Sequence, residues 1–347
     1  MDELTIGDQS IAPGVRELVH LPVANLYSHD TPLTLPVHVI RGKRAGPALF
    51  VCAALHGDEL NGIEVIHRLI RQRTLNRLRG TLLAVPVVNG FGMLHQSRYL
   101  PDRRDLNRSF PGSDKGSLAA RLAHIFVKEI VSKSDIGIDL HTAAANRTNL
   151  PQVRANLEDP DTRALADAFG TPVVIHSTTR DGSLREEAAE RGVKMLVFEA
   201  GEALRFNEPA VRMGLTGILR LMRSVGMLPA RRFTSLREKP QPFVARSSSW
   251  VRAPGTGMVN LLKKLGEHVE AGDVVARVFD PYDLFDAEAM DVVTRHSGLV
   301  IGIHHNPLIH EGDALVHVAR FEKAEDVAEE LEAIRLDLMD GAAEPWV

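Results

Sequence analysis

The chain has 347 residues, 44% hydrophobic and 25% charged, with a formal net charge of -4 and a pI near 6.4. This is the composition of a globular protein of one large domain or two. It excludes a basic field that would attract nucleic acid or anionic lipid, and the apolar runs are too short to span a bilayer. The first ten residues, MDELTIGDQS, are acidic and polar and do not read as a signal peptide. Cys52 is the single cysteine and lies inside an apolar run, so it reads as a small buried thiol. A cytoplasmic protein with no nucleic-acid or membrane partner is the expectation.

Residues 15–41 read as two extended segments around a polar turn at 28–31. From residue 48 the rhythm changes. ALFVCAAL (48–55), TLLAVPVV (81–88), DIGIDL (135–140), TPVVIHS (171–177) and KMLVFEAG (194–201) read as strands. Between and after them lie helical patterns at 62–70, 117–131, 164–170, 184–192 and 207–228. Apolar runs alternating with helical patterns predict an α/β fold: a mixed, mainly parallel sheet with helices on both faces. Near residue 235 the chain turns rich in Pro and Ser, which marks a boundary. Short extended pieces separated by Gly turns follow, and two of these turns (EAGDVV and HEGDAL) hint at a weak internal duplication. The expected domains are 1–238 and a C-terminal all-β module with a terminal helix, 239–347.

In open α/β sheets, ligands bind where the parallel strands end. After ALFVCAAL come His56, Asp58 and Glu59. DIGIDL runs into His141, and KMLVF runs into Glu199. These ends should share one rim, so His56, Glu59, His141 and Glu199 can converge. Two imidazoles and a carboxylate are a sufficient ligand set for catalytic zinc, with one position left open. Gly57 and Gly62 permit the tight backbone that such a turn needs. Glu199 could accept a proton from an activated water and pass it to a leaving nitrogen. Asp58 and Asp139 are each either a partner of a ligand histidine or a turn-stabilising side chain. The segment from Arg98 to Gly112 holds four arginines, two aspartates and an asparagine. A guanidinium beside an amide is a natural clamp for a substrate carboxylate, and another arginine could steady an oxyanion.

HGDELNG, DLNRSFPG, DIGIDLHT and VFEAG, in that order, resemble the succinylglutamate desuccinylase/aspartoacylase family, a branch of the zinc carboxypeptidase clan. The resemblance covers roughly residues 15–230 and extends to the β module of the longer bacterial members. It implies a carboxypeptidase-like fold and zinc-dependent hydrolysis of N-acyl amino acids. His56 and Glu59 match the family's paired ligands and His141 its third. Glu199 matches the catalytic glutamate, Arg98 resembles the carbonyl-polarising arginine, and Asn107 with Arg108 resembles the carboxylate clamp. Two departures stand out. Val88-Asn89-Gly90 replaces the Asn-Pro of many relatives, and the loop between Arg98 and Asn107 looks longer, so Arg103 or Arg104 could take the role given to Arg98. The β module resembles biotinyl and lipoyl barrel-sandwich domains. It has no lysine between Phe279 and Arg295 to carry a group, so a cap over the metal site or a contact within a homo-oligomer is its expected role. His304, His305 and His310 read as surface or packing residues away from the rim.

The expected function is a zinc amidohydrolase cleaving a linear amide of a small N-acyl amino acid or related acylamine. The competing readings are a metallocarboxypeptidase acting on peptides or cell-wall fragments, and a non-catalytic small-molecule-binding protein.

Overall fold

The computed structural model describes residues 3–25, 32–178, 180–230, 243–282 and 288–321. A hairpin of β1 (Leu4–Ile6) and β2 (Gln9–Ile11) precedes the long antiparallel pair β3 (Arg16–Asn25) and β4 (Pro32–Arg41). Next come β5 (Arg44–Ala53), α1 (Asn61–Ile70), β6 (Arg79–Val85), α2 (Gly90–Leu94), α3 (Leu118–Glu129) and β7 (Ile136–Ala143). They are followed by β8 (Arg147–Ala155), α4 (Pro160–Phe169), β9 (Val173–His176), α5 (Leu184–Glu190), β10 (Lys194–Glu202) and α6 (Glu208–Ser224). The periodicity predicts every one of these from β3 onward except α2 and β8. The expected turn at 28–31 and the expected terminal helix at 324–339 lie outside the described residues.

Among the described residues one sheet runs in the order β8-β10-β7-β5-β6-β4-β3. Its helix layers follow from the apolar runs. Val51 and Ala53 of β5 face a core with α1, α4 and α6, while Phe50 and Cys52 face the opposite core with α3 and α5. A strand buried on both faces must be apolar at every position, which is why these strands read as continuous runs. Local signals set the helix ends. Asp159 caps α4 through Thr162 N at 2.9 Å, and Asn207 caps α6 through Ala210 N at 3.0 Å.

The sheet is mixed, as expected. Before residue 239, parallel pairing joins β6–β5–β7–β10 and β8–β9, and antiparallel pairing joins β3–β4–β6. The tight turn after β7, with Arg147 N bonded to Ala144 O at 3.0 Å, reverses the chain, so β8 joins β10 antiparallel.

The C-terminal strands are β11 (Phe243–Ala245), β12 (Ser247–Arg252), β13 (Gly257–Leu261), β14 (His268–Val269), β15 (Val274–Phe279), β16 (Met290–Val293), β17 (Gly298–His304), β18 (Leu308–Ile309) and β19 (Ala314–Arg320). They are all-β, as expected. β13, β15, β16 and β18 form a separate four-stranded sheet. The others extend the large sheet: β17 pairs with β8, β19 with β17, β12 with β19 and β11 with β9. The site-bearing sheet and the β module are therefore hydrogen-bonded together. The boundary expected at 238/239 falls outside the described residues. No helix among the described residues is long and apolar enough to cross a membrane.

Candidate metal centre and substrate cavity

β5, β7 and β10 run parallel, so their carboxyl ends share one rim. Beyond β5 the chain breaks sharply. Ala54 adopts a φ of 49°, rare for a residue with a Cβ. Glu59 N then bonds to His56 O at 3.1 Å and closes a turn. Gly57 sits where this turn presses on α2, and a Cβ there would lie 2.0 Å from the Gly92 carbonyl carbon. A Cβ at Gly62 would lie 2.6 Å from Ala53 Cβ. Both glycines serve close approach rather than left-handed backbone.

The turn and the end of β7 bring His56, Glu59 and His141 together, all buried, with a ligand atom of each within 4.8 Å of the others. Glu59 lies between the imidazoles: Oε1 is 2.7 Å from His56 Nδ1 and Oε2 is 2.8 Å from His141 Nδ1. Thr142 N also donates to Oε2, at 3.0 Å. The outer nitrogens have carboxylate partners. His141 Nε2 is 2.6 Å from Asp139 Oδ2, and His56 Nε2 is 3.2 Å from Asp105 Oδ1. Asp139 is oriented in turn by the Cys52 thiol, 3.3 Å from Oδ1. The thiol stays protonated because burial, and then Asp139, raise its pKa well above the usual range.

The electrostatics favour a cation here. Burial opposes ionisation of Glu59, yet His56 and His141 hold its pKa far below the usual carboxylate range. Burial likewise opposes charge on His141, but Asp139 and Glu59 push its pKa well up. His56 is raised against its own burial by Glu59 and Asp105. Three carboxylates around two imidazoles, each ring held by an outer acceptor with Nδ1 turned inward, are a donor set fit for a divalent metal ion. Asp58 is not part of it: among the described residues its side chain bonds to neither histidine, and Oδ1 is buried without a partner.

Arg98 reaches this centre. Its Nη1 is 3.2 Å from His56 Nδ1 and 3.5 Å from Glu59 Oε1, while Nε and Nη2 bind Asp105 Oδ2 at 3.2 and 2.9 Å. Arg103 and Arg104 are exposed, and Arg104 faces Asp102 at 3.9 Å. Asn89, in the segment that departs from the family pattern, is wholly buried. It caps α2 through Gly92 N at 2.8 Å and bonds the Arg98 carbonyl at 3.4 Å. Asn107 Oδ1 accepts from Leu184 N at 3.0 Å, which leaves its amide nitrogen for a ligand.

These groups open on a cavity of about 470 Å³ that His56, Glu59, Arg98, Asn107, Arg108, His141 and Glu199 all line. Glu199 ends the regular part of β10, just before a bulge at Gly201, whose φ is 78°. Asn149 Nδ2 donates to Glu199 Oε2 at 2.7 Å, and Arg154 Nε stands 3.1 Å from Oε1. Asn149 and Arg154 lie on β8, the strand not predicted from sequence. Arg147, Arg180 and Arg185 also line the cavity, making six arginines against two glutamates, Glu59 and Glu199. Burial, and then the charge of Arg154, push Arg185 down to about 10, and its Nη1 is buried without a partner. A protein of net charge -4 thus concentrates positive charge around this centre.

The β module contributes Ser248, Trp250 and His317 to the same cavity. His304 and His305, expected away from the rim, meet the turn between β7 and β8. His304 Nδ1 is 3.4 Å from Arg147 Nε, and His305 Nε2 is 2.8 Å from Thr148 Oγ1. β8 escapes a sequence reading because RTNLPQVRA alternates only weakly and contains Pro151.

Comparison with known proteins bears on this arrangement. The sequence model of the succinylglutamate desuccinylase/aspartoacylase catalytic domain matches residues 45–225. N-alpha-acetyl-L-2,4-diaminobutyric acid deacetylase from Halomonas elongata is 29% identical over 280 residues, covering 78% of this chain and 81% of the relative. Among solved structures, a succinylglutamate desuccinylase/aspartoacylase from Rhodobacter sphaeroides superposes with a TM-score of 0.78 at 27% identity, over 88% of this chain and 95% of that one. The product-bound ectoine utilization protein EutE (DoeB) from Ruegeria pomeroyi gives 0.78 at 26% identity, over 88% and 94%. With more than half its length matched by the family's catalytic domain and the His56–Glu59–His141 cluster inside that match, the chain belongs to the succinylglutamate desuccinylase/aspartoacylase family.

Proposed function

We propose that this protein is a zinc-dependent amidohydrolase of carboxypeptidase-like fold that cleaves the linear amide of a small N-acyl amino acid. The observation that carries the reading is the buried His56–Glu59–His141 centre at one side of a cavity lined by six arginines. The deacetylase relative acts, by its name, on an acetylated amino acid, which supports the same class of bond.

His56, Glu59 and His141 would hold the ion. Zinc, when bound, supplies Lewis acidity toward the amide carbonyl and acidifies water into a nucleophile near neutral pH. Arg98, fixed by Asp105, donates to the carbonyl oxygen as negative charge develops there. Asn107 and Arg108 grip the substrate carboxylate through the amide N–H groups and the guanidinium. The Glu199 carboxylate takes a proton from the attacking water and returns it to the leaving nitrogen. Asn149 and Arg154 fix its two oxygens, so its basic lone pairs are aimed before substrate arrives.

The test is amine release from N-acetyl and N-succinyl amino acids beside short peptides, with and without chelator. Chelator-sensitive release from the acyl amino acids supports the reading. Cleavage of peptides alone would favour a metallocarboxypeptidase, and inertness of metal-loaded protein across the panel would favour a binding role.

A further inference from the structure

One row of residues crosses the large sheet from the candidate base to the β module. Asn149 on β8 pairs in register with Gly302 on β17, Gly302 with His317 on β19, and His317 with Trp250 on β12. Register neighbours share a face. A Cβ on Gly302 would lie 3.1 Å from Asn149 Oδ1, 3.1 Å from His317 Cβ and 3.4 Å from the Trp250 ring. Glycine there is what lets the three larger side chains close over one strand. The imidazole of His317 lies flat on the indole, centroids 4.6 Å apart at 10°, and the Arg147 guanidinium stands 5.3 Å from the indole centroid.

His317 is only 5% exposed, its ring hydrogen-bonds to no described residue, and it lines the cavity. Its ring nitrogens are not among the fully buried, unpartnered atoms, so they are open to a ligand group in the cavity. Burial, and then the charge of Arg154, hold its pKa down to about 3, so near neutral pH it is an uncharged ring with one N–H to donate. The surrounding cations, Arg147 and Arg154, draw oxygen anions toward this wall and repel ammonium groups. In the sheet order β8 and β17 separate His317 from β10, so its ring lies beyond Asn149 as seen from Glu199.

We infer that His317 is a specificity-determining residue, its imidazole N–H donating to a substrate carboxylate remote from the scissile amide, so that the β module completes the pocket. This rests on the amidohydrolase reading above and adds to it the residue that selects the far end of the substrate.

The experiment measures kcat/KM for the wild type, His317→Phe and His317→Gln on two matched pairs. N-succinyl and N-pentanoyl derivatives of one amino acid differ in a carboxylate at the acyl end. N-acetylglutamate and N-acetylnorleucine differ in one at the amine end. The expected result is a wild-type preference for the carboxylate member of at least one pair. In His317→Phe that member loses about tenfold or more, mainly through KM, as removal of a hydrogen bond to a charged group predicts. Its apolar twin changes little, and His317→Gln, which keeps an N–H donor, retains most of the preference. Equal loss on both members in both variants, with metal content intact, would make His317 structural and overturn the inference, as would an unchanged preference or none in the wild type. No amine release from any of the four substrates by the wild type would instead strike the amidohydrolase reading, and the inference with it.

Discussion

Asn149 donates to Glu199 across the β8–β10 pair at 2.7 Å, leaving the other carboxylate oxygen to Arg154 at 3.1 Å. A carboxylate hydrogen-bonded at one oxygen and ion-paired at the other is held in one orientation. Replacing Glu199 by Gln should keep metal but lower kcat by about 10²–10⁴-fold, the usual contribution of a positioned acid–base group. Asn149→Leu should cost about tenfold in kcat, the worth of one hydrogen bond to a charged group. Steady-state kinetics with metal analysis on the same samples checks both. A fully active Glu199→Gln would remove that residue from the chemistry.

Asp139 does not line the cavity, yet it fixes the His141 ring through Nε2 at 2.6 Å and is itself steadied by Cys52. Outer partners of ligand histidines typically change metal affinity by about 10–100-fold. Asp139→Asn should therefore weaken metal binding by that order in a chelator competition. Unaltered affinity would show that the ring is fixed by other contacts.

How far the sequence reveals such details depends on locality. The His-x-x-Glu turn, the strands running into His141 and Glu199, and the helices between them are legible because each is a short-range pattern: an apolar run, a helical period, a cap. The partners Asp105 and Asp139 sit inside recognised motifs, but only the tertiary fold aims them. Asn149, Arg154, Trp250 and His317 are not legible as site residues. Asn149 and Arg154 lie on β8, which alternates weakly around Pro151, and the pairings that assemble the four, Asn149 with Gly302 and Trp250 with His317, join segments distant in sequence. The β module reads as a separate unit because its Gly turns are local, whereas its pairing with β8 is not.

Gly57 tests the packing argument. An added methyl would lie 2.0 Å from the Gly92 carbonyl carbon and 2.2 Å from Met93 N, both backbone atoms that cannot rotate away. Gly57→Ala should destabilise the protein by about 1–3 kcal/mol, the range for overpacking a tight site. It should also lower metal occupancy, because His56 is the preceding residue. Urea denaturation gives the first quantity and metal analysis the second; a wild-type midpoint would contradict the close approach.

Glu208 ties α6 to α1. Its oxygens accept from Arg68 at 2.8 Å and one accepts from Arg212 at 2.8 Å. Arg68, and then Arg212 against a little desolvation, bring its pKa down to about 2. A carboxylate with a depressed folded pKa stabilises above its unfolded value, about 4.3, and loses that stabilisation as pH falls toward the folded one. The side chain is 44% exposed, so solvent screening limits the effect to about 0.2–1 kcal/mol. Glu208→Gln should be less stable than wild type at pH 6, with the gap shrinking between pH 4.5 and pH 3. A constant gap would indicate that the ion pairs contribute nothing.

The central claim is that His56, Glu59 and His141 share one divalent ion on which turnover depends. Metal stoichiometry during stepwise removal by chelator and stepwise return of Zn²⁺, with amine release measured at each step, tests it most directly. The account predicts about one ion per chain, activity proportional to occupancy, and little binding by His141→Ala. Full turnover from metal-free protein, or equal binding by His141→Ala, would contradict it.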